Sequence, residues 1–317
     1  MASSFILALT ALQVVALLVG FVTNGFILGV NLLDWKQCKA LTAADHFICA
    51  VGLSNLLLQI WLGFGWMCDL FWNSDLFCRF AYALKMISIQ CSLLLSAQLC
   101  VFYCIKILTF SHSFINFYKR HFLKSYKIAI ISAVILCTVV GGPLFWIGEN
   151  HLPFPNGSSV FSNTKTKEEM YSEIYRYFVL CYGYTTPLAL AIISASLVII
   201  SLMLHMNRMR DTLNTKHGAF INTHFWAGVT VLSLLLLYVM CFVTAIFNMI
   251  PLFKKGDPGF GLCQLVFMIY APAHGVVLIT GNSKLKNAAA KVKERIVRVL
   301  TPKGWIKEDV AITLTQH

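Results

Sequence analysis

The chain has 317 residues, 58% of them hydrophobic and 12% charged, with a formal net charge of +12. A soluble domain carries about 25% charged residues, so this composition excludes an ordinary soluble domain. Because the hydropathy points to lipid, the positive charge is not read as nucleic-acid affinity.

The apolar residues gather in long runs. Phe5–Val30 carries no charge, and neither do His46–Cys68, Ile128–Gly148, Tyr177–Leu204, Gly218–Phe253 or Gly259–Ser283. Phe80–Ile105 carries only Lys85. About 20 apolar residues cross a bilayer as a helix, and a helix satisfies its own backbone there. The runs predict seven spans over about 5–30, 46–68, 80–108, 128–148, 177–204, 222–250 and 259–283. The expected fold is an all-α, seven-transmembrane helix bundle over residues 1–283, with no second domain. The first run lacks a positive leading segment and is too long for a signal-peptide core, so it is read as the first span. Its Gln13 and Asn24 are placed toward a protein interior.

Charge sets the orientation. Alternate connections hold 18 of the 25 Lys and Arg residues, and Lys and Arg accumulate in cytoplasmic loops. The N-terminus is therefore expected outside and the C-terminus inside. The inner positive charge suits an anionic leaflet. The long outer connection, Glu149–Arg176, contains the sequon Asn156-Gly157-Ser158, read as a glycosylation site. It contains no cysteine, so no disulfide joins it to the third span. Most of the 11 cysteines lie within spans, where they act as small apolar residues. No CxxC pair exists to suggest zinc.

The seventh run holds Pro272, His274 and Gly275 and then breaks at Gly281-Asn282. Pro272 frees a carbonyl one turn earlier and permits a hinge. Beyond it, Leu285, Ala288, Ala289, Val292, Ile296 and Leu300 recur at helical spacing among lysines and arginines. That predicts an amphipathic helix on the inner leaflet, followed by a tail, over residues 284–317.

HExxH, GxSxG and glycine-rich phosphate loops are missing from the sequence, so no enzyme and no cofactor are expected. Polar residues inside lipid are costly and face the bundle. In the outer half these are Lys85, Gln90 and Gln264, with Tyr177, Tyr182, Tyr184, Phe247 and Asn248 at similar depth. In the inner half they are Asn24, Ser54, Asn55, Tyr103, His205, Tyr238, His274 and Asn282. Lys85 has two readings. One is an ion pair with Asp69, Asp75 or an outer-loop glutamate. The other is contact with an anionic or acceptor-rich ligand.

Several stretches resemble the type 2 taste receptors, the bitter receptors among G-protein-coupled receptors. "HGVVLITGNSKLK" (His274–Lys286) is similar to that family's seventh-span pattern, His-Ser-x-x-Leu-Ile-x-x-Asn-x-Lys-Leu-Lys, with Gly275 in place of Ser. "FYCIKILTFSHSFINFYKR" (Phe102–Arg120), "SLMLHMNRM" (Ser201–Met209) and "LLLLY" (Leu234–Tyr238) resemble its third, fifth and sixth spans. Asn55 stands where the family has Arg, Lys85 where many members have Trp, Ile89 where many have Asn, and Gln264 where some have an acid. Neither Asp-Arg-Tyr nor Asn-Pro-x-x-Tyr of rhodopsin-like receptors occurs.

The resemblance implies a plasma-membrane receptor for small, often amphipathic bitter compounds. Its outer cavity would lie between the third, fifth, sixth and seventh spans, with Lys85, Ile89, Gln90, Tyr177, Tyr182, Phe247, Asn248 and Gln264 as ligand contacts. Activation would part the inner ends and admit the Gα C-terminal helix of a heterotrimeric G protein. Tyr103, Lys106, Lys119, Arg120, His205 and Tyr238 are the coupling candidates, and Asn24, Asn55, Pro272 and His274 the switch. A vomeronasal-type pheromone receptor and a small-molecule transporter are the alternatives.

Overall fold

The structure is a computed structural model that describes residues 2–38, 40–71, 75–107, 124–147, 167–212, 218–249, 253 and 257–300. Along the chain run α1 (Ala2–Cys38), α2 (Ala43–Phe71), α3 (Asp75–Ile107), α4 (Tyr126–Gly141) and a short α5 (Leu144–Ile147). Then come α6 (Lys167–Val179), a π-helical segment (Leu180–Thr185), α7 (Thr186–Thr212), α8 (Gly218–Met249), α9 (Pro258–Gly281) and α10 (Ser283–Leu300). No strand occurs among the described residues. Seven stretches are long and apolar enough to cross a membrane: Leu7–Cys38, Ala43–Gly65, Leu76–Ile105, Tyr126–Ile147, Glu173–Ser201, Gly228–Asn248 and Pro258–Gly281. The chain is a multi-pass membrane bundle.

The helices outrun the uncharged runs. α1 continues through Asn31–Cys38, and α6 begins at Lys167, inside the segment read as outer connection. Absence of charge marks where a helix meets lipid. It says nothing about turns that project into water, where residues such as Lys, Glu and Met sustain a helix by propensity.

The third span is the axis of the bundle, since 78% of its most apolar stretch is buried against 28% for the first and fourth. α3 packs on α2, α4 and α7, while α9 packs on α1, α2 and α8. One apolar core joins Leu58, Met86, Ile89, Leu93, Tyr184, Leu234, Tyr238 and Phe267. A second, toward the cytoplasmic end, joins Ile27, Phe47, Ile48, Leu99, Phe102 and Leu278. Its member Leu285 is fully buried, so the first turn of α10 belongs to the bundle. Leu7, Val22, Ile128 and Val139 point outward with more than 60% of their surface exposed, as a lipid-facing band requires.

Local caps fix the inner corners. Thr42 and Asp45 form a reciprocal N-terminal cap on α2: Thr42 Oγ1 accepts from the Asp45 N–H at 3.2 Å, and Asp45 Oδ2 accepts from the Thr42 N–H at 3.2 Å. Asn282 Oδ1 caps α10 by accepting from the N–H groups of Lys284 and Leu285 at 2.9 and 3.3 Å. A spanning helix thus gives way to a surface helix in a single residue.

Candidate functional site

A buried polar network crosses the middle of the bundle, and its hydrogen bonds assign their own direction. Ser96 Oγ donates to the Ser92 carbonyl at 2.7 Å, so it accepts from His274 Nε2 at 3.0 Å. That fixes the imidazole as the Nε2–H tautomer and leaves Nδ1 to accept from Asn55 Nδ2 at 3.5 Å. Asn55 Nδ2 also donates to Asn24 Oδ1 at 3.0 Å. Ser92 Oγ donates to Asn55 Oδ1 at 2.6 Å and therefore accepts from the Tyr270 hydroxyl at 3.2 Å. Asn24 Nδ2 closes the set on the carbonyls of Gly20 and Ala271 at 3.0 and 3.1 Å. Asn24, Asn55 and Ser92 are fully buried, and His274 is 1% exposed.

Four spans meet there: the first through Asn24, the second through Asn55, the third through Ser92 and Ser96, the seventh through Tyr270 and His274. In a low-dielectric interior a fully satisfied network specifies one arrangement, and a broken one is costly. Gly275 lets α9 sit close enough, because a Cβ there would come within 2.9 Å of Thr23 Oγ1 and 3.2 Å of Asn24 Nδ2. Pro272 contributes through what it lacks. It has no N–H for the Met268 carbonyl four residues back, and Gln59 Nε2 of α2 donates to that carbonyl at 3.1 Å. The sixth span joins through Tyr238, whose hydroxyl donates to the Leu93 carbonyl of α3 at 2.5 Å.

A second cluster stands at the cytoplasmic end. Lys284 Nζ lies 2.6 Å from Asn31 Oδ1, 3.0 Å from Asp34 Oδ2 and 3.1 Å from Asp45 Oδ1. One ammonium thus ties α1, the start of α2 and the start of α10. Partial burial by itself would lower the Lys284 pKa, but the hydrogen bonds to Asp34 and Asp45 outweigh it and hold it above its ordinary value. Nearby, a cavity of about 120 Å³ opens among the inner ends of the spans. Leu99, Cys100 and Tyr103 of α3, Thr230 and Leu234 of α8, and Asn282 belong to its lining.

The residues singled out in the sequence fall in several places. Asn24, Asn55 and His274 share the central network, and Pro272 sits beside it. Ile89 and Gln90 are buried in α3, and Lys85 is half-buried with its Nζ 4.9 Å from the centre of the Tyr82 ring. Gln264 is half-buried on α9. Asn248 spends its amide locally on the Thr244 carbonyl, and Phe247 is 41% exposed with its ring edge toward Phe253. The structure does not bring Tyr177 and Tyr182 to the others. They are 62% and 58% exposed, while their neighbours Val179 and Tyr184 face the core. Tyr103 lines the inner cavity. Lys106 and His205 belong to α3 and α7. Lys119, Arg120 and Asn156 lie outside the described residues.

Sequence reasoning missed Ser92, Ser96 and Tyr270 in the network, Gln59 on the Met268 carbonyl beside it, and Asp34 and Asp45 as partners of Lys284. A signal was present: Asn55 and Gln59, Ser92 and Ser96, and Tyr270 and His274 are three polar pairs spaced by four residues, each on one helix face.

Comparison with known proteins agrees with this architecture. The profile of the taste receptor protein family (TAS2R) matches residues 1–295. The chain is 25% identical over 300 residues to human taste receptor type 2 member 39, covering 91% of this chain and 86% of that one. It is 24% identical over 297 residues to Gallus gallus taste receptor type 2 member 40, covering 92% and 94%. It is 28% identical over 284 residues to Mus musculus taste receptor type 2 member 119, covering 87% and 82%. With seven lipid-crossing helices joined by a buried polar network, and a profile match running from the first span into α10, the chain belongs to the TAS2R family of taste receptors, chemosensory receptors of the G-protein-coupled class.

Proposed function

We propose that this receptor sits in the plasma membrane, binds small bitter-type molecules from outside and activates a heterotrimeric G protein. The observation that carries this reading is the continuous hydrogen-bonded set from Asn24 through Asn55 and Ser92 to His274. It joins four spans at mid-membrane and lies on the outer side of the inner cavity. Such a set favours the arrangement described, and a ligand that binds a second arrangement better shifts the population toward it. Lys85, Ile89, Gln90 and Gln264 are the ligand-facing candidates on the third and seventh spans, and Lys85 favours anionic or acceptor-rich molecules.

At the inner end, a 120 Å³ cavity is far too small for a helix about 10 Å across. Coupling therefore requires the inner ends to part, and the Tyr238 hydroxyl on the Leu93 carbonyl is one bond that resists it. Tyr103, Lys106, His205 and the basic residues Lys119 and Arg120 are the proposed contacts for a Gα C-terminal helix. α10 lies along the inner leaflet, with Val292, Ile296 and Val299 turned outward and at least 44% exposed.

The test is ligand-evoked calcium release in cells given a compatible Gα. At least one compound of a broad bitter panel is expected to evoke it, and Ser92→Ala is expected to shift the response. Silence across the panel with surface expression confirmed overturns the reading. A transporter would instead move labelled substrate across vesicles without any G protein.

A further inference from the structure

The seam between the third and fifth spans carries a buried amide with nothing to bond. Gln90 is 1% exposed, and neither its Nε2 nor its Oε1 has a hydrogen-bond partner among the described residues. An amide buried without partners is costly, so such groups are rare in native interiors. Against it stands the π-helical segment Leu180–Thr185. Pro187 follows this segment and has no N–H for the Gly183 carbonyl four residues back. The backbone widens there: the Thr186 N–H reaches the Cys181 carbonyl, and the hydroxyls of Thr185 and Thr186 bond the carbonyls of Leu180 and Cys181 at 3.1 and 3.2 Å. Such π turns gather at functional sites.

Gly183 presents bare backbone to the amide. A Cβ there would lie 2.7 Å from Gln90 Nε2 and 2.8 Å from its Cδ. One turn nearer the outside, the Tyr184 hydroxyl donates to the Met86 thioether at 3.6 Å, a weak acceptor. Above that lies Tyr82, with the Lys85 ammonium 4.9 Å from the centre of its ring. The amide ends a flexible stem, so its direction changes by rotation about its χ angles.

We infer that Gln90, set against the π-helical turn at Gly183, is the deep hydrogen-bonding subsite of the outward-facing pocket and takes a neutral ligand group with a donor and an acceptor side by side, a lactam or a cis secondary amide. This rests on the receptor reading given above. The chemistry selects the class. Nε2–H and Oε1 lie on one edge of the glutamine amide, and a lactam offers C=O and N–H on one edge in the complementary order. Two antiparallel hydrogen bonds then satisfy all four atoms. A lactone or an N-methyl lactam lacks the donor and leaves Oε1 unpaired. A carboxylate sets negative charge against Oε1. Sites that hydrogen-bond a substrate group discriminate strongly against analogues lacking it.

Three probes of nearly one shape test this on the purified full-length receptor in lipid nanodiscs: 2-quinolone, N-methyl-2-quinolone and coumarin. By ligand-dependent thermal stabilisation, 2-quinolone is expected to bind about tenfold or more tightly than either analogue. Gln90→Met is expected to bring the three within about twofold of one another and to hold or raise the ligand-free melting temperature, because it removes an unpaired amide. Gly183→Ala displaces the amide while keeping it, and is expected to change the affinity for 2-quinolone alone. Equal binding of the three probes to wild type overturns the proposal. So does an unchanged ranking in Gln90→Met, or a clear fall in its ligand-free melting temperature, which would mean that the amide is satisfied within the fold. If the subsite fails while unrelated bitter compounds still evoke Gα-dependent calcium release, only the subsite is refuted. If no compound signals, both readings fall together.

Discussion

Pro272 and Gln59 offer a test in which the expected energy follows from one bond. Pro272 lies inside α9, and its missing N–H strands the Met268 carbonyl. Gln59 is fully buried and supplies the donor from α2 at 3.1 Å. Gln59→Met keeps the length of the side chain and removes that donor. A buried acceptor without a partner costs about 1–3 kcal/mol in soluble proteins, whereas interhelical hydrogen bonds within membranes average about 0.6 and reach about 1.7 kcal/mol. Gln59 Oε1 has no partner among the described residues, so its removal offsets part of the loss. The expected net cost is about 1 kcal/mol, or roughly 2 °C in the melting midpoint of a chain this size.

In a Pro272→Ala background the restored backbone N–H reaches the Met268 carbonyl, and the same Gln59→Met change is expected to cost almost nothing. The assay is a double-mutant cycle: thermal unfolding of wild type, the two single variants and the double variant in one detergent, followed by tryptophan fluorescence. A coupling of about 1 kcal/mol supports the reasoning. Effects that add within about 0.3 kcal/mol refute it, because Gln59 would then not be serving the carbonyl that the proline frees.

Three further outcomes are expected. Tyr238→Phe removes the hydroxyl that joins the sixth span to the Leu93 carbonyl. At about 1 kcal/mol it is expected to raise ligand-independent signalling about fivefold, measured as basal calcium or nucleotide exchange at matched surface expression, and an unchanged basal level counts against the tie. Gly281→Val sets a Cβ within 2.8 Å of Thr230 Oγ1 and 3.2 Å of its Cβ. The crowding is expected to cost about 1–3 kcal/mol and to speed amide exchange at the inner end of α8, while an unaltered exchange pattern there would show that the contact yields freely. Lys284→Met leaves Asp34 and Asp45 facing one another without a cation. With the lysine side chain 30% exposed, the screened loss is expected near 1 kcal/mol, read as a melting midpoint lower by roughly 2 °C. Asp45→Asn added to that variant is expected to restore part of it, and strict additivity would dismiss the repulsion.

Much of the fold was legible because lipid imposes a simple rule. A run such as Ile128–Gly148, uncharged for 21 residues, has few other homes. The helix ends were less legible, as the extension of α1 to Cys38 and the start of α6 at Lys167 show, since water tolerates helix and loop alike. Asn24, Asn55 and His274 stood out because an amide or imidazole in an apolar run needs a partner. Ser92, Ser96 and Tyr270 did not, because serine and tyrosine are ordinary residues in such runs, and spacing gives a face without naming its neighbour. Tyr177 and Tyr182 had the expected depth and a different azimuth. The π turns at Leu180–Thr185 insert roughly one residue, about 100° of rotation in a helix with 3.6 residues per turn. No periodicity argument made without the Pro187 bulge sets that phase. The meeting of Asp34, Asp45 and Lys284 was not legible, because it depends on three segments far apart in the chain.

The lysine that closes the inner corner has a mechanical consequence. Its three oxygen partners come from the first two spans, and Asn282, two residues before it, ends the seventh. These elements form a stator. Relative displacement at the cytosolic mouth then falls to the fifth and sixth spans, which apolar contacts and the Tyr238 latch hold to the third and seventh. A cell that needs to throw this machine would gain its leverage on the carboxy-terminal flank of the bundle, while the amino-terminal flank stays bolted to α10 through Lys284.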